Sequence, residues 1–377
     1  MNIDKVKIKN FKSLKNINIS LSNLTLITGV NSSGKSSFIQ AILLIKQNLE
    51  TIQFSDFDEE NKKPLNINGD YVKLGNKKDI LFQDVYDEEI EISLMAEIIP
   101  EFNDNENHLI KIIFDAQSLQ FKASEDFIFN IANYSFNDNL QYIQTHRIEP
   151  EIFYSLSDRS LLENNIGLSG EFTAHYLAIN RHKPLDIKGL KHRNSLTFQL
   201  LENVSLWLSE ISESIEVSAK VYDELQKVSL TYKYTYGNNT TSNYTPLNVG
   251  FGITYVLPII VSILKAKEGD LLIIENPESH LHPAGQSKVA ELCAIASANG
   301  VQIIIETHSD HFLNGIRVAT KKGLLTPEQS KIYYFRKEKD ELETKIDEIN
   351  IDKDGKIDNW TKGFFDEYSK QLDNLLW

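Results

Sequence analysis

Gly29-Val30-Asn31-Ser32-Ser33-Gly34-Lys35-Ser36 is the stretch whose reading decides the fold. It fits the phosphate-loop pattern G-x-x-x-x-G-K-[ST], and the spacing has a physical meaning. Gly29 and Gly34 let the backbone turn so that successive N–H groups, from Asn31 through Ser37, face the oxygens of a bound phosphate. Lys35 brings a point charge to the outer phosphates, and the Ser36 hydroxyl is a ligand for Mg²⁺. The flanks agree with the motif. Leu24 to Thr28 is a short apolar strand, and Ser36 to Leu49 is rich in helix formers and free of Pro and Gly. The helix start adds its own partial positive charge to the anion site. A chance Gly-rich turn would not need a strand before it and a helix after it.

The bulk properties bound the remaining possibilities. A chain of 377 residues suits one large domain or two smaller ones, and a composition 41% hydrophobic and 24% charged is that of a globular protein. One cysteine, Cys293, excludes an internal disulfide and fits a reducing cytoplasm. Its neighbours Leu292, Ala294 and Ile295 point to a buried helix position. The N-terminus lacks the apolar core of a signal peptide, and the most apolar run, Ile253 to Leu264, is too short to span a bilayer, so no membrane role is expected. A net charge of −14 argues against the whole surface being a nucleic-acid footprint. It leaves room for a local basic face, with Lys5 to Lys15 and Arg181 to Arg193 as the densest segments.

Along the chain, residues 3–9 and 17–21 read as strands ahead of the phosphate-loop strand. Thr51 to Leu65 reads as a loop. Ile80–Phe82, Ile90–Ile99, Leu109–Phe114 and Leu119–Lys122 read as an antiparallel meander, with a short strand at Tyr142-Ile143. Residues 157–215 read as mostly helical, and Ile215–Tyr222 with Val228–Tyr236 as a hairpin. Beyond Asn248 the texture changes to alternating helix and buried strand. Ala284 to Ala298 is a helix stopped by Asn299-Gly300, and the tail is strand-like, then acidic, then helical from about Phe364. The expected organisation is a discontinuous nucleotide core (1–50 and 245–330), a β-rich region (51–156), a helical subdomain with a hairpin (157–244) and a strand–helix tail (331–377).

Leu271-Leu272-Ile273-Ile274 runs into Glu275-Asn276-Pro277-Glu278. An apolar strand ending in an acid is the other half of a phosphate-loop enzyme, because the acid emerges at the carboxyl edge of the sheet and holds Mg²⁺ directly or through water. Glu275 is that acid by position. The next strand ends in Glu306-Thr307-His308-Ser309, which sets an imidazole at the same edge, in reach of a γ-phosphate or an attacking water. A single histidine is more often structural; one at this strand end reads as functional.

These strings resemble the ABC-type ATPases that include SMC-like proteins and OLD-like ATPases, over residues 1–50 and 245–320. The matching segments are Gly29 to Ser36, Asn248-Val249-Gly250-Phe251-Gly252, Glu275 to Pro283, and Thr307-His308-Ser309. Glu275 to Pro283 followed by Glu306 to Ser309 looks like the stand-alone prokaryotic OLD-like members of the AAA family. His146 to Pro150, Ile166 to Glu171 and Gly363-Phe364-Phe365-Asp366 also resemble segments of that group. The resemblance implies an α/β fold: a P-loop NTPase with an ABC/SMC-type head, carrying a β-rich arm and a helical subdomain as insertions. Gly250, Phe251 and Gly252 would be the signature loop that caps ATP bound to a second copy. Ser279 to His282 would cross the dimer interface, His308 would be the switch histidine, and Gln83 would contact magnesium, with Gln47 as the alternative. One departure stands out. The catalytic Glu that usually follows the magnesium acid is Asn276 here, so either Glu275 or Glu278 activates water or hydrolysis is slow.

About 240 residues separate Lys35 from Glu275, more than a bare nucleotide core needs, yet they are too few and too aperiodic for a long coil. The roughly 60 residues after the last core motif lack the acidic strand ends of the TOPRIM nuclease domain found in OLD nucleases. Asp352, Asp354 and Asp358 read as a solvated turn more than as a calcium loop. The expectation is an ATP-hydrolysing switch, a homodimer or higher oligomer around ATP and Mg²⁺, controlling a separately encoded effector such as a nuclease or toxin, as in anti-phage defence. A DNA-binding clamp gated by ATP is the second reading, and a scaffold holding ATP as a structural ligand is the third.

Overall fold

The computed structural model describes residues 2–49, 62–83, 85, 88–97, 107–116, 118–122 and 139–376. The chain divides into two compact units, and each takes segments from distant parts of the sequence. The first holds residues 1–139, 331–349 and 359–377; the second holds 140–330 and 350–358.

In the first unit, β1 (Asn2–Phe11) and β2 (Leu14–Ser20) form a hairpin, followed by β3 (Leu24–Gly29) and helix α1 (Lys35–Leu49). Strands β4 (Lys62–Pro64), β5 (Glu89–Glu97), β6 (Asn107–Asp115) and β7 (Gln120–Lys122) complete a six-stranded sheet in the order β2-β1-β5-β6-β7-β4. The strands expected in a separate β-rich region therefore continue the N-terminal hairpin, because β5 pairs antiparallel with β1 through Val6–Leu94 and Ile8–Ile92. The α1 helix buries Phe38, Ile39, Ile42 and Ile45 and packs on β1, β3 and β5. Ile80–Phe82, expected as a strand, makes only a bridge between Leu81 and Phe11. The expected loop at Thr51–Leu65 lies mostly outside the described residues.

The second unit begins with β8 (Leu140–Ile143), β9 (Tyr154–Ser155) and helices α2 (Asp158–Leu162), α3 (Thr173–Asn180) and α4 (Leu200–Ser209). A hairpin follows, β10 (Ile215–Tyr222) and β11 (Lys227–Tyr236), with β9 and the two-residue β12 (Asn239–Thr240) paired to β11. Then come α5 (Phe251–Leu264), β13 (Leu271–Glu275), α6 (Pro283–Ala298), β14 (Gln302–Glu306) and α7 (Asp310–Lys321). β14, β13 and β8 are parallel neighbours. Parallel strands covered by helices are buried on both faces, which is why Leu271–Ile274 and Ile303–Ile305 are unbroken apolar runs. Residues 157–215, read as mostly helical, hold three short helices. Between α3 and α4 the chain is held by polar hooks, among them the Trp207 indole donating to the Leu190 carbonyl and the Asn203 amide donating to those of Thr197 and Gln199. Pro258 lies inside α5 without ending it, and Gly170 lies so close to its ring that an added Cβ would sit 2.4 Å from the proline Cβ.

The remaining strands, β15 (Ser330–Lys337) and β16 (Thr344–Ile349), belong to the first unit, in the order β16-β15-β3, and helix α8 (Glu367–Leu376) closes it. Asp352 accepts from the Asp354 and Lys356 amides of its own turn and Asp358 accepts from Asn350, so these carboxylates bind their own backbone. Among the described residues, no helix is long and apolar enough to cross a membrane.

Candidate functional site

The phosphate loop leaves the end of β3 and enters α1, as the motif requires. Gly29 (φ 144°), Ser32 (φ 62°) and Gly34 (φ 103°) all lie in the positive-φ half of backbone space, which turns the intervening amides inward. The two glycines are also fixed by packing. A Cβ on Gly29 would stand 2.0 Å from the Phe335 carbonyl oxygen, and one on Gly34 would stand 2.5 Å from the Thr344 Oγ1. Lys35 is buried, and its ammonium bonds the carbonyls of Gly29 (3.0 Å) and Val30 (2.9 Å), so the charge is held over the loop. The Thr344 hydroxyl reaches the Ser33 carbonyl (2.9 Å) and the Ser13 hydroxyl (2.8 Å), while the Thr344 amide donates to the Ser13 carbonyl. Nothing in the sequence motif indicates Thr344, which is 311 positions away.

Ser33 Oγ is buried and makes no hydrogen bond. A buried hydroxyl without a partner, inward-turned amides and a held ammonium form a donor set that fits a polyphosphate. In the same unit lies an open cavity of about 550 Å³ lined by Lys12, Ser13, Lys78, Asp79, Gln83 and Lys337, with no residue of the loop itself in its wall. Its size falls in the usual range for ligand pockets, about 300–1,000 Å³. Gln83 is exposed on its wall. The other glutamine considered, Gln47, has its amide committed elsewhere: it accepts from the Tyr71 and Val72 amides and donates to the Asn66 carbonyl.

In the second unit, Glu275 ends β13 and its carboxylate is seated by the segment after β8. The Tyr142 hydroxyl donates to Oε1 (2.9 Å), and the Thr145 hydroxyl and amide donate to Oε2 (2.8 and 3.3 Å). An ionised carboxylate has about four acceptor positions, so one remains for a metal-bound water. Burial, followed by the charges of Glu275 and Glu306, pushes the Tyr142 phenol far up, which keeps it a donor. Asn276 adopts a left-handed conformation (φ 44°) and its amide bonds the Glu306 carbonyl. Glu278 accepts from the Thr307 hydroxyl (2.7 Å) and the His308 amide (2.8 Å), tying the ends of β13 and β14 together. The His308 residue is exposed. The structure thus brings Glu275, Asn276, Glu278 and His308 to one strand edge of the second unit.

Gly250 caps the start of α5, and Phe251 lies 40% exposed at its first turn. Gly252 is a place of close approach: a Cβ there would stand 2.3 Å from the His280 carbonyl oxygen. His280 packs edge-on against Phe251 and Tyr255 (4.7 and 4.9 Å between centroids), so Gly250–Gly252 and Ser279–His282 form one surface. Two residues of this region were given no role in the sequence reading, although Arg147 lies in the His146–Pro150 segment that resembles the family. Arg147 packs on the Tyr255 ring and bonds the Glu275 carbonyl, and the only signals were an arginine and a proline after a short apolar strand.

Motif, parallel sheet and strand-end acids define an ABC/SMC-type P-loop ATPase fold. Two solved structures are similar: an SMC head bound to the C-winged helix domain of ScpA (16% identity, 93% of this chain and 98% of that chain, TM-score 0.56), and an SMC head with an extended coiled coil bound to the C-terminal domain of ScpA from Pyrococcus furiosus (14% identity, all of both chains, TM-score 0.56). At these identities the likeness is one of fold. No curated protein matches the sequence. A family model described as "AAA domain, putative AbiEii toxin, Type IV TA system" matches residues 24–314, and the chain belongs to that family of P-loop ATPases. A model described as "Protein of unknown function (DUF3696)" matches residues 325–375, the stretch that contains Gly363 to Asp366.

Proposed function

We propose that this protein is an ATP-driven dimeric switch that hydrolyses ATP slowly and controls a separately encoded effector. Family membership supports ATP and Mg²⁺ as ligands, and the phosphate loop carries the reading, because its glycines, held lysine and unpartnered Ser33 hydroxyl form a polyphosphate cradle. In this reading Asn31, Ser32, Ser33, Gly34, Lys35 and Ser37 bind the phosphates. Ser36, Glu275 and, through its side-chain carbonyl, Gln83 would hold Mg²⁺, which would neutralise phosphate charge. Gly250, Phe251 and Gly252 cap the nucleotide of a second copy, and His308 orients water.

The water-activating role falls to Glu275 or Glu278. Both carboxylates accept hydrogen bonds from groups within the protein, three on Glu275 and two on Glu278, and Asn276 has no basic group, which supports slow turnover. The family description, with its toxin–antitoxin wording, supports a defence setting and an effector of nuclease or toxin type. The test is ATP turnover of wild type beside Lys35→Ala and Glu275→Gln, with mass measured in the same samples. Turnover lost in both variants and an ATP-dependent doubling of mass in wild type are expected. Turnover equal to that of Lys35→Ala would leave ATP as a structural ligand.

A further inference from the structure

The second unit contains a buried guanidinium that the site as described does not use. Arg147 is 1% exposed. Its Nη2 donates to the Glu275 carbonyl and to the Asn276 carbonyl (3.1 Å), while Nε and Nη1 make no hydrogen bond. The guanidinium carbon lies 4.7 Å from the centre of the Tyr255 ring. Tyr255 is on the second turn of α5, just after Gly250–Gly252, and its hydroxyl donates to the Thr145 carbonyl. Thr145 in turn donates twice to the Glu275 carboxylate. Two paths therefore join the Gly250–Gly252 loop to the end of β13. One runs through the Tyr255 ring and Arg147 to the main chain of Glu275 and Asn276; the other runs through the Tyr255 hydroxyl and Thr145 to the Glu275 side chain.

Burying a charge with two unpaired donors is costly, and a hydrophobic side chain of the same volume is often neutral or stabilising at such a place. Such a group, with the Glu275 and Glu278 charges near it, calls for an account beyond hydrophobic packing. The Asn276 Oδ1 is also buried and without a hydrogen bond, so the unmet polar groups are concentrated where Arg147 grips the chain. Burial pulls the guanidinium down to about 10, which still leaves it charged at neutral pH.

We propose that Arg147, backed by Tyr255, is a positioning residue that sets the main chain of Glu275 and Asn276 and links it to the Gly250–Gly252 loop. The inference rests on the ATPase reading for its meaning: the loop senses the partner's nucleotide, and the strand end holds the magnesium acid of its own. Arg147 acts on the strand end through the two carbonyls it binds and reaches the loop through the Tyr255 ring.

The test compares wild type, Lys35→Ala, Arg147→Met, Arg147→Lys and Tyr255→Phe by thermal midpoint, by ATP affinity with and without Mg²⁺, and by turnover. A positioning role predicts that Arg147→Met melts at or above the wild-type temperature and binds ATP without Mg²⁺ within threefold of wild type. Its turnover falls at least tenfold, as does the gain in ATP affinity on adding Mg²⁺. Arg147→Lys restores part of both, and Tyr255→Phe loses a smaller part. Arg147→Met with wild-type turnover and wild-type Mg²⁺ dependence overturns the proposal, as does a parallel fall of melting point, Mg²⁺-free affinity and turnover. If wild type itself shows no Lys35-dependent turnover, the ATPase reading fails on that control. The inference is then decided by the Mg²⁺ dependence of ATP affinity alone.

Discussion

Thr344 braces the phosphate loop from outside the motif. Its hydroxyl lies against the Ser33 carbonyl and the Ser13 hydroxyl, and its side chain occupies the space a Cβ on Gly34 would take. Thr344→Val keeps the shape and removes the donor, leaving a carbonyl of the loop unpaired, at a cost of roughly 1–3 kcal/mol. The expected outcome is a lower unfolding midpoint together with weaker ATP binding, measured by denaturation and by equilibrium nucleotide titration. An unchanged ATP affinity would show that the loop keeps its form without the brace. Residues within a motif were legible because their spacing is local and carries its own geometry. Thr344, Arg147 and Tyr142 were not, because each acts on a segment more than a hundred positions away, and no periodicity records a contact of that range.

Helix α6 was legible as an element because its ends are marked, and α7, which the sequence reading did not assign, carries a cap of the same kind. Pro283 occupies the first turn of α6, the His282 ring accepts from the Ala284 amide, and the Ser309 hydroxyl caps α7 through the Phe312 amide. The segment before α4 was misread as helix because its apolar residues pack without helical spacing, around hooks supplied by Asn203, Glu202 and Trp207. At the far end of α4, Glu210 joins that helix to α6. It binds Lys288 (2.7 Å), Arg193 (2.8 Å) and His192 (3.2 Å). Burial alone would raise this carboxyl, but the three cationic or ring donors outweigh it and hold it down at about 2. A folded value below the unfolded one means that the stabilisation is complete above about pH 4.5 and is lost as the pH falls toward 2. Glu210→Gln is expected to cost roughly 1–2 kcal/mol at pH 7, discounted for partial solvation, and almost nothing at pH 2. Denaturation of both proteins across that range checks it, and a constant difference would assign Glu210 a role in packing only.

At the scale of the whole molecule, a net charge of −14 works against association, so the proposed ATP-dependent dimer would have to overcome its own repulsion. Salt screens that repulsion. Turnover per mole of protein is therefore expected to rise with protein concentration and, at fixed concentration, to rise from low to moderate salt. Turnover independent of both, measured over a hundredfold dilution, would mean that a single chain completes the site. The fold class was legible from the two ends of the sequence. The pairing of β5 with β1 was not, because the meander's alternation states which face is buried but not which sheet the strands join.

The left-handed backbone at Asn276 has a consequence for how this family of sites can change. Asparagine is among the few side chains that accept that conformation readily, whereas glutamate meets a penalty there. The position is thus contested between two demands, a main chain that curls and a side chain that takes a proton. A single codon change that supplied the base would have to be accompanied by a relaxed turn, so the inherited shape of the chain limits which chemistries lie one mutation away.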